Sequence, residues 1–369
     1  MQTKRLYFID AVRAFAILMM LQGHFVDTLL APEYRDTNSL VYNTWSYFRG
    51  ITAPTFFTIS GLIFTYLLIR AKEKGQESLR IRKGLQRGLM LIAIGYLLRI
   101  PFLQWFIGEF NTYFLVVDVL QCIGLSLILI IVLYVLCLRN ILVFSILCFV
   151  LGILIFLSEP LYRNLNIDGI PLVFSNYISK ENGSIFTIIP WFGYMAFGGY
   201  LATAFYRHIE KSKFKPVTVI SFLVVGYLLM EWSSYGLNKL YYATEIELFQ
   251  KSANYNYLFT RLGNVFIYFG LFYGLERFLK KTLILKIGQK TLSIYVIHFI
   301  IIYGSFTGFG LNRLIGKTLE PYEAVLGAIL FLVTVCTISF HYVKTNAFVY
   351  SHVRRLWDKL KGLPEKSTD

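Results

Sequence analysis

Long apolar runs recur along the whole chain, separated by short polar stretches, and none alternates as a half-buried strand would. Runs near 11–30, 51–69, 88–106, 114–137, 141–157, 185–206, 216–232, 259–276, 291–309 and 323–343 each have the length a helix needs to cross a bilayer. They predict an all-α integral membrane protein, a bundle of about ten transmembrane helices, rather than a barrel. The connecting segments are short, so no soluble domain of ordinary size fits between them.

Composition agrees with the pattern: 56% of the 369 residues are hydrophobic and 15% charged. The net charge of +15 adds orientation. With the N-terminus inside, the inner segments carry 25 Lys and Arg, the outer loops 8, and Arg13, Arg99 and Arg261 fall within runs. The positive-inside rule then predicts an even number of spans and both termini cytoplasmic; the location expected for this multi-pass protein is the cell (inner) membrane. The basic excess is topology signal and contact with anionic membrane lipids, which leaves no call for a nucleic-acid partner.

The division expected is a transmembrane domain over 1–343 and a cytoplasmic basic tail over 344–369. In that tail Phe348, Val349, Val353, Leu356, Trp357 and Leu360 recur at helical spacing opposite Arg354, Arg355, Lys359 and Lys361, as in an amphipathic helix on the inner membrane surface. The charged stretch Arg70–Arg87 reads as a solvated or lipid-facing loop. Asp10 and Arg13 interrupt the start of the first run, and no small-x-small site follows it before Pro32, so it reads as a retained signal-anchor. Cys122, Cys137, Cys148 and Cys336 lie in apolar runs without C-x-x-C spacing and read as inert buried thiols.

The chemistry begins with two ionisable residues in the first run, Arg13 and His24. A charged group within a bilayer-spanning helix costs at least about 2.5 kcal/mol, so it needs a partner, a wet cavity or a function. Eleven residues at about 100° each bring both side chains to one helix face, about 16 Å apart along the axis. His24 suits proton transfer, and Asp27, one turn on, could orient its ring. The plainer reading is a histidine satisfied by a neighbouring helix or interfacial water. Arg13 demands an anion: either Asp10 or Asp118 within the protein, or a phosphate or carbonyl of a ligand.

Other polar residues pair along helix faces: Asp118 with Gln121, Arg261 with Asn264, Tyr295 with His298, while Arg99 ends its run before Pro101. Each could serve only as interhelical hydrogen-bond glue. Their number argues for a polar interior. The segments Thr52–Gly61 and Pro190–Gly199 combine Pro, Gly and small residues and can let a helix or thin ligand approach the backbone. His208, His341 and His352 have no metal-ligand spacing, and no metal site is assigned.

Phe8-Ile9-Asp10-Ala11-Val12-Arg13-Ala14, with ten residues between Arg13 and His24, resembles the first-helix signature of transmembrane acyltransferases. These are the acyltransferase 3 family and the heparan-alpha-glucosaminide N-acetyltransferase-like proteins. Pro54, Phe56-Phe57 and Ser60-Gly61 are similar to the next segment of these families, and Asp118-Val119-Leu120-Gln121-Cys122-Ile123-Gly124 resembles a stretch of the heparan-type branch. Pro190-Trp191 through Gly198, and Ser293-Ile294-Tyr295 with His298, follow in order, so the resemblance covers about residues 5–300.

The resemblance implies transfer of an acyl group, acetyl foremost, from cytoplasmic acyl-coenzyme A to a hydroxyl or amine of an extracytoplasmic glycan or glycolipid. His24 and Asp27 are then the catalytic positions, with His24 acting as general base or as a transient acyl carrier. Arg13, Asp10, Ser60, Arg99, Asp118, Gln121, Trp191, Tyr295 and His298 are the substrate-binding positions. Acyl-coenzyme A is a co-substrate, no bound cofactor is expected, and a second copy of the chain is a candidate partner. A polytopic transporter or lipid-carrier flippase is the alternative, but the inverted repeat it would carry is not evident. A catalytically dead relative is weaker, since the Arg13–His24 pair is intact.

Overall fold

The computed structural model describes residues 6–165 and 169–360, with side chains through His341. Its first half holds α1 (Tyr7–Leu29), α2 (Leu40–Arg49), α3 (Thr52–Glu73), α4 (Glu77–Leu97), α5 (Phe102–Phe106), α6 (Val119–Leu136), α7 (Ile141–Leu157), α8 (Glu159–Tyr162) and α9 (Leu172–Ser175). The second half holds α10 (Ile188–His208), α11 (Phe214–Glu231), α12 (Ser233–Thr244), α13 (Glu247–Asn254), α14 (Tyr257–Gly274), α15 (Thr282–Gln289), α16 (Thr291–Tyr303), α17 (Leu311–Leu314) and α18 (Pro321–Leu360). No strand occurs among the described residues, and an isolated bridge joins Leu30 to Leu319.

Glycine decides how closely these helices approach. On the α4–α6 interface, Gly88 faces the Gly124 carbonyl and Gly124 faces the Gly88 carbonyl; a Cβ on Gly88 would lie 2.8 Å from that oxygen. Gly226 and Gly263 repeat the arrangement between α11 and α14. The Pro/Gly segments noted in the sequence pack on each other, with Gly61 of α3 under the Met195 carbonyl and Gly198 of α10 under that of Thr58. Without side chains at these crossings, dispersion between backbones replaces the hydrophobic drive that lipid cannot supply.

α1 runs through the centre, packed by α3, α14, α15, α16 and α18. Its residues Phe8, Val12, Ile17, Leu21 and Leu29 are buried. α11 is the opposite case. Only 11% of its apolar window is buried, and Val217, Ile220, Val224 and Leu228 face outward. Such outward apolar surface is what a lipid-facing helix presents.

Every expected run contains a helix, but the count of ten spans is reached only in part. Among the described residues five helical stretches are long and apolar enough to cross a membrane: Tyr7–Leu29, Leu40–Glu73, Thr112–Leu136, Phe214–Glu231 and Pro321–His341. The bent pair α15–α16, with 69° between its halves, makes a sixth if it counts as one span. The others fall short for visible reasons. α7 has 17 residues. α4 begins with Arg80, Arg82, Lys83 and Arg87 and ends at Leu97, short of the expected 106. α10 is diluted by Pro190, Trp191 and three glycines, and α14 by Arg261 and Asn264.

The stretch Arg70–Arg87 is not a loop. α3 ends at Glu73 and α4 begins at Glu77, so most of those charges lie on helices. α18 continues unbroken across the expected boundary at 344, and the side chains that define the amphipathic tail lie outside the described residues.

Candidate functional site

Two cavities lie end to end along α1. The first, about 290 Å³, is lined by Arg13, Arg80 and Arg87 with Ser60, Thr291 and Tyr295, in apolar walls that include Ile17, Ile59, Leu91 and Val119. The second, about 570 Å³, is lined by His24, Arg99, Asp118, Tyr113, Trp191 and Tyr303, with Asp27 and Arg49 also among its lining residues. Five helices pass from one cavity to the other at a common level: α3 between Ala53 and Phe56, α4 between Leu91 and Leu98, α6 at its start between Asp118 and Val119, and α16 between Tyr295 and Phe299. The fifth is α1, where Met20 lines both.

At the arginine end, the Arg13 Nη2 donates to Thr291 Oγ1 at 2.7 Å, and its Nη1 lies 4.0 Å from Asp10 Oδ1. Thr291 comes into reach because α16 starts at the bend after α15, whose Gly288 packs on the Asp10 backbone. Arg80 stacks on Phe64 at 5.3 Å. Its Nε is buried without a hydrogen-bond partner, and neither Arg80 nor Arg87 has a carboxylate partner among the described residues. Among the described residues no Asp or Glu lines this cavity. Three guanidinium groups around one acid-free cavity suit a multiply charged anion.

At the histidine end, His24 Nδ1 lies 2.8 Å from Tyr303 Oη. Gly304, at φ +67°, ends α16 just after that tyrosine; a Cβ there would collide with the backbone of Phe309 and Gly310. The chain turns sharply as a result, and Ser305 and Phe306 join the cavity wall. His298 lies behind His24 with 5.3 Å between ring centroids and is fully buried. Trp191 follows Pro190 near the start of α10 and stacks against Phe57 at 5.2 Å and Phe186 at 4.7 Å.

Asp118 caps α6. Its Oδ1 accepts from the Val119 N–H at 2.7 Å, and Gln121 Oε1 reaches back to the Asp118 N–H at 3.3 Å, which completes a capping box. Its other oxygen accepts from Arg99 Nη2 at 2.7 Å, and Arg99 is held over the rings of Tyr113 and Phe299.

Set against the expected site residues, His24, Asp27, Arg99, Asp118 and Trp191 gather at the histidine cavity, and Arg13, Ser60 and Tyr295 at the arginine cavity. Asp10 flanks Arg13, so of the two internal partners considered for Arg13 it is Asp10; Asp118 belongs to Arg99. Gln121 and His298 line neither cavity. Asp27 does not hold the His24 ring. Its carboxylate pairs with Arg49 and, at 3.8 Å, with Arg35, and it is 47% exposed. Arg261 donates to the Tyr47 carbonyl and Asn264 to that of Thr260, and neither lines a cavity. The geometry adds Tyr303, Thr291, Arg80, Arg87 and Arg49. Arg80 and Arg87 share a helix face with the buried Gly84, Gly88 and Leu91, a spacing readable once the segment is taken as helix.

No curated protein matches the chain. The model of the heparan-alpha-glucosaminide N-acetyltransferase catalytic family matches residues 5–230, more than half of its length. That stretch includes Arg13, His24, Ser60, Arg99, Asp118 and Trp191; Thr291, His298 and Tyr303 come from beyond it. The chain, whose apolar helices and paired cavities are those just described, belongs to the family of heparan-alpha-glucosaminide N-acetyltransferase catalytic domains.

Proposed function

We propose that the protein is a multi-pass enzyme of the cell membrane that moves an acetyl group from acetyl-coenzyme A, held at the arginine cavity, to an amine or hydroxyl of a glycan or glycolipid at the histidine cavity. One observation carries the reading. The two cavities meet along a single helix that presents an arginine to one and a histidine to the other. Arg13, Arg80 and Arg87 receive the phosphates of the donor, and the pantetheine arm extends along α1 toward His24, a distance of about 16 Å.

With its Nδ1 proton donated to Tyr303 Oη, His24 keeps a lone pair on Nε2. The acceptor gives its proton to Nε2 as it attacks the thioester carbonyl. The tetrahedral adduct then collapses, the carbon–sulfur bond breaks, and the departing thiolate takes the proton back from the imidazolium. Tyr303 fixes the ring and stabilises its charged form. The Trp191 ring offers an apolar face to a sugar, and Asp27 with Arg49 forms the polar rim through which it enters.

The arginine cavity faces the cytoplasm in this reading, which the 25-to-8 split of basic residues supports with both termini inside. In sealed cells a membrane-impermeant thiol reagent should label Asn182→Cys or Lys239→Cys but not Lys83→Cys; labelling of Lys83→Cys from outside reverses the orientation.

Arg13→Lys keeps the charge and loses the planar fork of donors. The KM for acetyl-coenzyme A should rise about tenfold, a loss near 1.4 kcal/mol, while the melting temperature without ligand barely moves. A strong fall in melting temperature with unchanged donor affinity would make Arg13 a structural partner of Asp10 and Thr291.

A further inference from the structure

We propose that Met20 sets the length of acyl chain that the protein accepts. The inference rests on the acyl-transfer reading and names the substrate class for it: short acyl thioesters, acetyl before butanoyl. Met20 lies on the α1 face that carries Arg13 and His24, about 10 Å along the axis from the first and about 6 Å from the second. It is shared by the linings of both cavities and is itself only 7% exposed. A thioester reaching from the arginine cavity toward Nε2 of His24 must therefore bring its carbonyl past this side chain, and the alkyl tail occupies the space beside it. Apolar residues flank the junction: Phe56 from α3, Leu91 from α4 and Val119 from α6 line the cavity on one side of it. An added methylene meets these walls and the Met20 thioether rather than water. Discrimination of about 10- to 200-fold per methylene is the range such an apolar constriction gives.

The test uses the full-length protein in lipid vesicles, glucosamine as the acceptor probe, and thiol release from acetyl- and butanoyl-coenzyme A as readout. Wild type should favour acetyl by more than about tenfold in kcat/KM. Met20→Ala removes Cγ, Sδ and Cε and should shift the ratio toward butanoyl by about tenfold or more, while Met20→Leu, close in volume, keeps the wild-type ratio. Met20→Val should fall between them, which keeps the series readable if the alanine variant does not fold. An acetyl-to-butanoyl ratio that stays within about twofold across variants of an active enzyme overturns the Met20 proposal alone. Absence of thiol release by wild type from either thioester overturns the acyl-transfer reading on which it stands.

Discussion

His24→Ala lowers acetyl transfer by about 10²- to 10⁴-fold, the usual contribution of a positioned general base, with the donor KM within about twofold of wild type. The split follows from the layout. His24 lines the cavity opposite to the one that holds the three arginines, so removing its ring leaves the donor site intact. Packing should survive as well, since the imidazole borders a cavity and its hydrogen-bond partner Tyr303 gains access to that space. Tyr303→Phe keeps the ring stacked on Phe299 and removes the hydroxyl, so it should cost about tenfold in kcat, roughly one hydrogen bond to a group charged in the transition state. Steady-state thiol release with glucosamine as acceptor probe measures both. Transfer by His24→Ala within about twofold of wild type removes His24 from the mechanism.

The second large effect is on stability. Asp118→Ala leaves Arg99, 9% exposed, as a buried cation without its carboxylate, at a cost of about 3–5 kcal/mol. The same change removes the cap of α6, worth about 1 kcal/mol more. The melting temperature in detergent should fall sharply. The diagnostic is the double variant. Arg99→Met with Asp118→Asn retains a capping oxygen and removes the charge, so it should recover most of the loss, because a buried ion pair replaced by packed apolar groups is often close to neutral. Equal melting temperatures for Asp118→Ala and wild type would contradict the account of the pair.

What could be read from sequence follows the range of the interaction. The Arg13–His24 face is a property of one helix, set by a 3.6-residue period, and needed no partner to be seen. Asp118 with Gln121 is local too: the pair closes a capping box, with the Gln121 side chain turned back to the Asp118 N–H, while Asp118 also lines the histidine cavity. For Asp27, helical spacing shows only that it could reach His24. Arg49 and Arg35, brought by the segment after α1, claim its charge first. Tyr303 and Thr291 lie more than 270 positions away from the α1 residues they bond, and no periodicity within α1 could reveal them. Arg80 and Arg87 were hidden by composition: a charged run reads as solvated unless the glycines between those charges are seen as a packing face.

The shortfall in spans has a related cause. α10 and α14 carry glycine, arginine and aromatic residues that pack other helices closely or line the cavity, and each lowers the apolar signal of its own helix. Apolar signal alone does not mark the site: α11 and α18 carry it, face largely outward and line neither cavity, whereas α6, in the most apolar of the five long stretches, lines the arginine cavity.

The central claim is transfer from one end of the bundle to the other. Its most direct test is proteoliposomes with glucosamine sealed in the lumen and acetyl-labelled coenzyme A supplied only outside. The account predicts labelled N- or O-acetylglucosamine in the lumen, lost with His24→Ala and weakened at low donor concentration with Arg13→Lys. Acetylation only of glucosamine present on the same side as the donor would contradict it.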